Sequence, residues 1–316
     1  MTTLMIISKT KNTGKTAIAS GLLRNFIDKK IDIGKIITTK QSSSSDIDFY
    51  RNFFPEAENI HLNDSSKINI ESLLKNQTIN IIEGSEDHEK NLKDAQALDA
   101  SILLVVKYGE NFQKILDHYG SRINGFVINF MPKYRTKELQ DYIDKNTKNS
   151  QAEFFGIIPD DRKLLSLTIE QLASILNGEF ICGEEYSSKL IENYLIGGLV
   201  LDWGPFYFSS KKNNAVIVRG DRPDVQLSAL QTNETQALLL TKGVAPVEYI
   251  SYEAEKVNKP IILFDDNTHE FTEKVEKIQL KSSINHPEKI DRISDLISDK
   301  LDLNLLIEKL KLPVTR

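Results

Sequence analysis

The chain has 316 residues, a hydrophobic content of 40% and a formal net charge of −5 at neutral pH. This length suits two ordinary domains with separate cores, and the composition is that of a globular chain. The single cysteine, Cys182, excludes an internal disulfide framework and a multi-cysteine metal site. The acidic balance gives no reason to expect nucleic acid or an anionic membrane as a partner.

Targeting and membrane signals are the next features to consider. No stretch approaches the roughly 20 apolar residues that a membrane-spanning helix needs. The amino terminus has too short an apolar run for a signal peptide and no charged region before it. The five histidines show no paired spacing typical of a metal site. Together with the single cysteine, which is typical of a reducing compartment, these features lead us to expect a cytoplasmic protein.

The first half of the chain alternates short apolar runs with longer amphipathic segments, of which Lys15–Lys29 and Asn111–Tyr119 are examples. Alternation of this kind predicts an α/β domain with a parallel sheet, right-handed crossovers and helices on both faces. The runs predicted as buried parallel strands are Leu4–Ile7, Gly34–Ile37, Ile79–Ile82, Ile102–Val106, Gly125–Ile128 and Phe154–Ile158.

A second, smaller α/β domain is predicted after residue 183, giving domains at 1–183 and 184–316. The segment Leu164–Leu176 is expected to close the first domain as a helix. Two helices, Pro287–Lys300 and Leu303–Leu310, are expected to close the second. Its predicted strands are Ala215–Val218, Ala237–Leu240 and Pro260–Phe264.

The first predicted strand runs directly into the segment SKTKNTGKT, residues 8–16, and a helix follows at once. In such a setting the backbone N–H groups and the helix amino terminus bind a phosphate, and the lysine adds a full charge. The threonine hydroxyl can ligate Mg²⁺. Lys9 replaces the first glycine of the strict phosphate-loop pattern, and Asn12 tolerates the left-handed conformation better than most residues. The segment predicts ATP and Mg²⁺ binding by Lys11, Asn12, Thr13, Gly14, Lys15 and Thr16.

Other polar residues follow predicted strands of the first domain. Glu83 ends an apolar strand, where a carboxylate faces magnesium in phosphate-loop folds, although an exposed turn glutamate is the alternative. Lys40 comes where a strand end would face the crevice. Asp46 and Asp48 could be functional, or Asp46 could cap a helix over Phe49–Phe53. Asn129 could read an adenine edge or be a plain turn residue.

The motifs SKTKNTGKT, ITTK, DIDFYRNFF, NIIEG, GFVINFMP and FFGIIPDD occur in the order seen in dethiobiotin synthetase-like ATPases. The chain most resembles the amino-terminal part of long phosphate acetyltransferases and their stand-alone relatives. Its second domain resembles a DRTGG domain in the segments NAVIVRGDRPDVQLSALQT, ALLLTKG and PIILFDDNTHEFTEKV. The resemblance spans nearly the whole chain and implies a phosphate-loop NTPase domain followed by a smaller DRTGG-like domain.

The resemblance also implies roles for single residues. Lys15 would hold the terminal phosphates, and Lys40 would approach both substrate and phosphate, which makes these two the candidate catalytic residues. Asn129 would read the base. The implied magnesium ligands are Thr16, Asp48 and Glu83. Relatives with this second domain suggest a homodimer.

Three departures from the synthetase pattern bear on the substrate. Thr10 and Lys11 stand where dethiobiotin synthetase has an aspartate and a threonine, no proline follows Lys40, and Phe130 replaces the usual arginine. The residues that would handle a carboxylate substrate therefore differ from those of the synthetase.

In the second domain, polar residues follow each predicted strand. The carboxyl ends of parallel strands meet at one edge of a sheet, where a crevice forms. Arg222 could bind an anion there, or it could pair with Asp221, Asp224 or Asp265. Lys242 interrupts the double glycine of the resembled family. The candidate residues for an unidentified small ligand are Asp221, Arg222, Asp224, Thr241 and Asp265.

Three functions are compatible with these features. One is a regulatory module in which ATP binding is coupled to a ligand of the second domain, with weak ATPase activity at most. Another is an ATP-dependent ligase that activates a carboxylate, as dethiobiotin and cobyrinic acid diamide synthases do. The third, a scaffold that no longer binds nucleotide, is disfavoured by Lys15, Thr16 and Glu83. We expect the first, without acetyl transfer, because no acyltransferase segment follows.

Overall fold

The computed structural model describes residues 2–38, 44–61, 79–148, 150–198, 203–278 and 281–313, without the side chains of 44–47, 58–61 and 136. Lys40 lies outside these residues, as does the side chain of Asp46, so their predicted roles stay predictions. The chain folds into two compact units. Unit 1 comprises Met1–Asp160 and Ile284–Arg316, and unit 2 comprises Asp161–Ser283.

Unit 1 is built on a parallel sheet. The strands are β1 (Thr2–Ser8), β2 (Ile33–Thr38), β3 (Glu58–His61), β4 (Ile79–Glu83), β5 (Ser101–Lys107), β6 (Ile123–Met131) and β7 (Glu153–Pro159). They lie in the order β3-β2-β4-β1-β5-β6-β7, which confirms the predicted α/β class. Both β1 and β4 are buried along almost their whole length, as expected for central strands covered on two faces. In the register, Ile6 of β1 pairs with Glu83 of β4, so Glu83 lies beside the start of the phosphate loop.

The helices of unit 1 follow the predicted alternation. They are α1 (Lys15–Asp28), α2 (Ser44–Phe53), α3 (His88–Ala97), α4 (Gln113–Tyr119), α5 (Leu139–Asn146), α11 (Pro287–Lys300) and α12 (Leu303–Lys309). Because α2 begins at Ser44, Asp46 lies inside the helix and does not cap it, contrary to the alternative considered for it.

The closing helices belong to unit 1, whereas the sequence placed them in the second domain. Ile293 and Ile297 of α11 are buried. A Cβ at Gly21 of α1 would lie 2.6 Å from Cδ1 of Ile297, so glycine permits the close approach of the two helices. The Asn25 amide donates to the Ser294 carbonyl at 3.0 Å. The apolar face of α11 is therefore core of unit 1, and local periodicity alone could not say which sheet it would cover.

Unit 2 begins at Asp161, about twenty residues before the predicted boundary. The predicted helix over Leu164–Leu176 starts only at Ile169, because Leu167–Thr168 form a short strand. Thr168 then caps the helix: its side chain accepts from the Gln171 backbone N–H at 3.1 Å, and the Gln171 side chain accepts from the Thr168 N–H at 3.1 Å. The segment therefore opens unit 2 and does not close unit 1.

The strands of unit 2 are β8 (Leu167–Thr168), β9 (Glu179–Cys182), β10 (Leu190–Ile191), β11 (Asn193–Ile196), β12 (Asn214–Arg219), β13 (Thr235–Thr241) and β14 (Ile261–Leu263). The helices are α6 (Ile169–Leu176), α7 (Gly204–Phe208), α8 (Pro223–Leu230), α9 (Glu248–Lys256) and α10 (Thr268–Ile278). The main sheet has the order β11-β12-β13-β14-β9, with β9 antiparallel and the other pairs parallel. Buried residues alternate between its two faces, so one face packs under α7–α9 and the other under α6 and α10.

Over the described ranges of both units, every helix is too short or too polar to cross a bilayer.

Candidate functional site

The phosphate loop connects β1, which ends at Ser8, to α1, which begins at Lys15. Asn12 has φ 54° and Gly14 has φ 89°, both in the left-handed region. The left-handed conformation expected for Asn12 is thus confirmed. A Cβ at Gly14 would also collide with Nδ2 of Asn129. Gly14 is required both by its backbone angle and by this close approach.

Lys15 and the two outer lysines of the loop have different surroundings. The Lys15 side chain is 7% exposed, and its Nζ donates to Oγ of Ser8 at 3.0 Å. Lys9 donates instead to the Asn111 carbonyl at 2.8 Å, and Lys11 forms an exposed ion pair with Glu86 at 3.3 Å. Lys15 is therefore the lysine held within the loop, while Lys9 and Lys11 connect the loop to neighbouring segments.

Glu83 is 1% exposed, so the exposed turn glutamate considered as its alternative is excluded. The Thr16 hydroxyl donates to its Oε1 at 2.8 Å, and the Tyr50 hydroxyl donates to its Oε2 at 3.1 Å. Three elements, α1, α2 and β4, therefore meet at this carboxylate. Thr16 and Glu83, two of the three predicted magnesium ligands, are in direct contact.

The third predicted ligand, Asp48, has different surroundings. Its side chain is exposed and lies 3.9 Å from the guanidinium of Arg51. Residues two apart on an α-helix point about 200° apart around its axis. Tyr50 faces Glu83, so Asp48 lies on the far side of α2. In the described structure, the residue of α2 that contacts Glu83 is therefore Tyr50 and not Asp48.

Asn129, predicted to read a base, supports the phosphate loop in the structure. Its Nδ2 donates to the Thr13 carbonyl at 2.8 Å, and its Oδ1 accepts from the Phe130 N–H at 2.9 Å. The side chain is buried. Base reading would thus have to use the remaining hydrogen-bonding capacity of the amide, or break one of these bonds.

Three residues at the site were missed by the sequence argument: Ser8, Tyr50 and Glu110. Glu110 accepts a short hydrogen bond from the Thr10 hydroxyl and another from the Lys107 N–H at 3.2 Å. It therefore fixes the loop after β5 against the phosphate loop. Glu110 has no signal in the sequence, since 100 residues separate it from Thr10. Tyr50 lies within the quoted segment DIDFYRNFF, where the aspartates drew attention instead.

These residues fit a magnesium nucleotide. Over the described part of the chain, no three His, Cys, Asp or Glu side chains cluster as a metal site. Magnesium does not need such a cluster, because it commonly uses one or two protein oxygens and completes its octahedron with phosphate and water oxygens. The contact of the Thr16 hydroxyl with the Glu83 carboxylate supplies that kind of donor set. Beside it, the amino terminus of α1 and Lys15 can bind phosphate oxygens.

The strand-end residues of unit 2 are paired locally. The Arg219 guanidinium donates two hydrogen bonds, one to each carboxylate oxygen of Asp221. The Arg222 guanidinium does the same to Asp224, with N–O distances of 2.9 and 2.8 Å. The hydrogen bonds from Arg219 and Arg222 lower the pKa values of Asp221 and Asp224 respectively. The prediction left Arg222 either to an anion or to an internal partner, and in the structure its partner is Asp224.

The other predicted residues of this edge are also in contact with neighbours. The Thr241 hydroxyl shares a 2.8 Å hydrogen bond with that of Thr268. Lys242 has φ 76° and Gly243 has φ 62°, so both residues of the turn after β13 adopt the left-handed conformation. A Cβ at Gly243 would lie 3.0 Å from Oδ1 of Asp265.

Parts of this chain are similar to known proteins. Residues 171–278 match the family described as the DRTGG domain. The phosphate acetyltransferases of Synechocystis sp. and Deinococcus radiodurans are each 24% identical to this chain, over 203 and 206 residues. The alignments cover 62% and 61% of this chain but only 29% of each relative. The MinC:MinD cell division protein complex of Aquifex aeolicus aligns with a TM-score of 0.39 and 16% identity, covering 52% of this chain and 84% of that one.

The chain therefore contains a DRTGG domain and is similar to phosphate acetyltransferases over part of their length. The expected resemblance and the α/β fold class are confirmed. Because the chain covers less than a third of those relatives, the activity of the whole relatives does not transfer to it.

Proposed function

We propose that this protein binds ATP with Mg²⁺ at the phosphate loop and that nucleotide binding is coupled to a ligand of the DRTGG domain. The observation that carries the nucleotide proposal is the Thr16–Glu83 hydrogen bond next to the buried Lys15. A buried carboxylate is normally hydrogen-bonded or paired, and one partner of Glu83 is the Thr16 hydroxyl in the first turn of α1, where a helix amino terminus can bind phosphate.

Each part of the site has a separate task in this proposal. The first N–H groups of α1 bind the phosphate oxygens, and Lys15 binds the terminal phosphates as a point charge. The Thr16 hydroxyl would offer an oxygen lone pair to the metal while it continues to donate its hydrogen to Glu83, as it does in the structure. Mg²⁺, when bound, neutralises part of the phosphate charge.

The surroundings of Thr10 and Lys11 favour regulation over carboxylate activation. These positions carry an aspartate and a threonine in the resembled synthetases. Here the Thr10 hydroxyl binds Glu110, and Lys11 binds Glu86. Both side chains already bind residues of unit 1, and these contacts hold the loop in place. This arrangement suits a fixed phosphate loop better than one that contacts a second substrate. Acetyl transfer is not proposed, because the alignment covers 29% of the acetyltransferases.

A nucleotide panel tests the proposal on the full chain. Thermal unfolding would be measured with ATP, ADP, AMP and GTP, each with Mg²⁺ and with a chelator. We expect the largest stabilisation from ATP with Mg²⁺, since a ligand at 100 times its Kd stabilises by about 2.7 kcal/mol. Phosphate release with the best nucleotide would then measure hydrolysis. Equal melting temperatures in all samples would contradict nucleotide binding.

Coupling to the second domain requires reciprocity. A ligand of the DRTGG domain that changes ATP affinity must have its own affinity changed by ATP by the same factor. The usual scale is about 5–150-fold. The strand-end residues Asp221, Arg222, Asp224, Thr241 and Asp265 remain one proposed location for that ligand. Independent binding of ATP and ligand would contradict the regulatory part alone.

A homodimer is the proposed assembly. Over the described residues, four aromatic side chains of unit 2 are more than half exposed: Trp203, Phe206, Tyr249 and Tyr252. Phe206 lies on α7, while Tyr249 and Tyr252 lie on α9, and both helices contact α8. Exposed aromatic side chains on one helical layer are typical of protein interfaces. Sedimentation at increasing protein concentration tests this assembly, and a monomer at all concentrations would contradict it.

A further inference from the structure

Unit 2 contains a cavity away from the predicted strand-end residues. It is lined by Arg162, Leu165, Ser166, Ile191, Glu192 and Tyr194, and its volume is about 230 Å³. Strand β11 begins at Asn193, so Glu192 and Tyr194 lie at the amino-terminal end of the parallel strands. Asp221 and Thr241 lie at the opposite, carboxyl-terminal end. The cavity is thus a separate candidate from the edge that the sequence indicated.

One wall of the cavity is fixed before any ligand binds. Oδ1 of Asp161 accepts from the N–H groups of Lys163 and Leu164 at 3.1 and 3.3 Å, which holds the turn that carries Arg162. The Ser282 hydroxyl lies 3.0 Å from the carbonyls of both Leu164 and Ser166. Ligand binding would therefore lose little further conformational entropy at this wall, because folding has already ordered it.

Two opposite charges line this cavity. The Arg162 guanidinium donates to Oδ1 of Asn193 at 2.8 Å, and Oε1 of Glu192 accepts from the Asn213 amide at 2.8 Å. Within the described residues, both charges have amide partners and neither forms an ion pair, with each other or with a third group. An amide positions a charged group without neutralising it. The cavity therefore presents a cation and an anion together, each held in place and each with hydrogen-bonding capacity left.

The rest of the lining suits a small organic molecule. Burial raises the pKa of Tyr194, so the phenol stays protonated at neutral pH and can donate a hydrogen bond. No hydrogen bond of this hydroxyl is made to another described residue. Leu165 and Ile191 add apolar surface. A few placed polar groups on an apolar lining are typical of ligand sites.

We propose that this cavity binds a small zwitterion of amino-acid size, with its anionic group on Arg162 and its ammonium group on Glu192. The ligand supplies the two counter-charges that the described residues do not, in a cavity of about 230 Å³. The proposal deepens the sensing part of the proposed function and rests on it only for the role of the DRTGG domain. Binding in the cavity itself does not depend on nucleotide binding.

The test uses the full chain and the twenty standard L-amino acids as probes, first by thermal shift and then by calorimetry for those that stabilise. Acetate and inorganic phosphate supply the anion alone, and ethylammonium chloride supplies the cation alone. We expect at least one amino acid to stabilise the protein, and none of the single-charge compounds to do so at the same concentration. Arg162→Gln and Glu192→Gln should each weaken its binding about tenfold or more, the scale of a lost hydrogen bond to a charged group.

Lys274→Gln is the matched control, because it removes a cation of the same unit whose partner, Asp266, belongs to neither candidate ligand site. It should leave amino-acid affinity unchanged. The melting curve of each variant without ligand shows whether it is folded, and Tyr194→Phe gives a milder second probe of the lining. The proposal is wrong if no amino acid stabilises the protein, if binding survives both Arg162→Gln and Glu192→Gln, or if acetate or phosphate binds as tightly as any amino acid. Stabilisation by ATP and Mg²⁺, measured in parallel, separates these outcomes from a failure of the nucleotide site.

Discussion

The polar residues at the phosphate loop and those at the strand ends of unit 2 differ in how far apart their partners lie along the chain. Thr16 bonds to Glu83 across 67 residues, and Asn129 bonds to Thr13 across 116. By contrast, Arg219 and Arg222 bind aspartates two residues away. Long-range bonds between buried groups hold separate elements in one geometry, whereas exposed local ion pairs contribute little. The phosphate loop is therefore the site whose geometry is fixed by contacts between separate elements of the fold.

Lys15→Ala is expected to have the largest effect on nucleotide binding at the phosphate loop. It removes the buried ammonium group that contacts Ser8, and with it the charge-assisted hydrogen bonds to the terminal phosphates. Two such bonds, at about 1.5–3 kcal/mol each, correspond to a loss of roughly a hundredfold or more in ATP affinity.

Lys11→Ala is the control, since Lys11 forms an exposed ion pair with Glu86. Its effect on ATP affinity should be several-fold at most. Calorimetric titration with ATP and Mg²⁺ measures both variants, and circular dichroism checks that they are folded. Parental affinity in Lys15→Ala would overturn the assignment of the loop.

Glu83→Gln is expected to have the next largest effect, which is a weaker binding of Mg²⁺. The amide keeps the size of the side chain and can still accept from Thr16, but it has lost the charge. The Mg²⁺ concentration for half-maximal stabilisation by ATP should rise by about tenfold or more, while binding of ATP in chelator should change little. An unaltered magnesium titration would mean that Glu83 does not take part in magnesium binding.

Tyr50→Phe tests the contact that the sequence did not reveal. The ring packs against Phe49 and Phe54, with centroid distances of 5.0 and 6.1 Å, so phenylalanine can keep the packing while losing the hydroxyl. Loss of the 3.1 Å bond removes one of the contacts that orient the Glu83 carboxylate. We expect a roughly three- to tenfold rise in the Mg²⁺ requirement, the scale of one hydrogen bond to a charged group in part compensated by solvent.

Phe53→Leu on the same helix is the control for Tyr50→Phe, because Phe53 also contacts Phe49, at 5.2 Å, and carries no hydroxyl. Equal changes in the magnesium titrations of both variants would mean that Tyr50 acts through packing alone.

Strands β1, β2, β4–β7 and β12–β14 were predictable from the sequence because buried parallel strands are short, continuous apolar runs, whereas β3 and β8–β11 were not among the predicted runs. The phosphate loop was predictable because all of its residues are consecutive. Tyr50 and Glu110 were not, since their partners come from other elements and the aspartates beside Tyr50 were the more obvious candidates. The division of the chain was misplaced for a related reason. The apolar face of α11 packs against α1, although the two helices are 269 residues apart at Asn25 and Ser294. No local sequence pattern predicts which helix α11 will contact.

Arg222→Ala should have the smallest effect, and it decides which end of the unit 2 sheet binds the ligand. Its ion pair with Asp224 is partly exposed and local, so its removal should change the melting temperature only slightly. If the cavity at Arg162 is the ligand site, ATP affinity measured with and without a stabilising amino acid should differ by the same factor in Arg222→Ala as in the parent. If that factor falls to one while the amino acid no longer binds, the ligand lies at the strand ends, and Arg222 must exchange Asp224 for the anion. Titrations of ATP against the amino acid, in both orders, therefore separate two sites that a single binding measurement would merge.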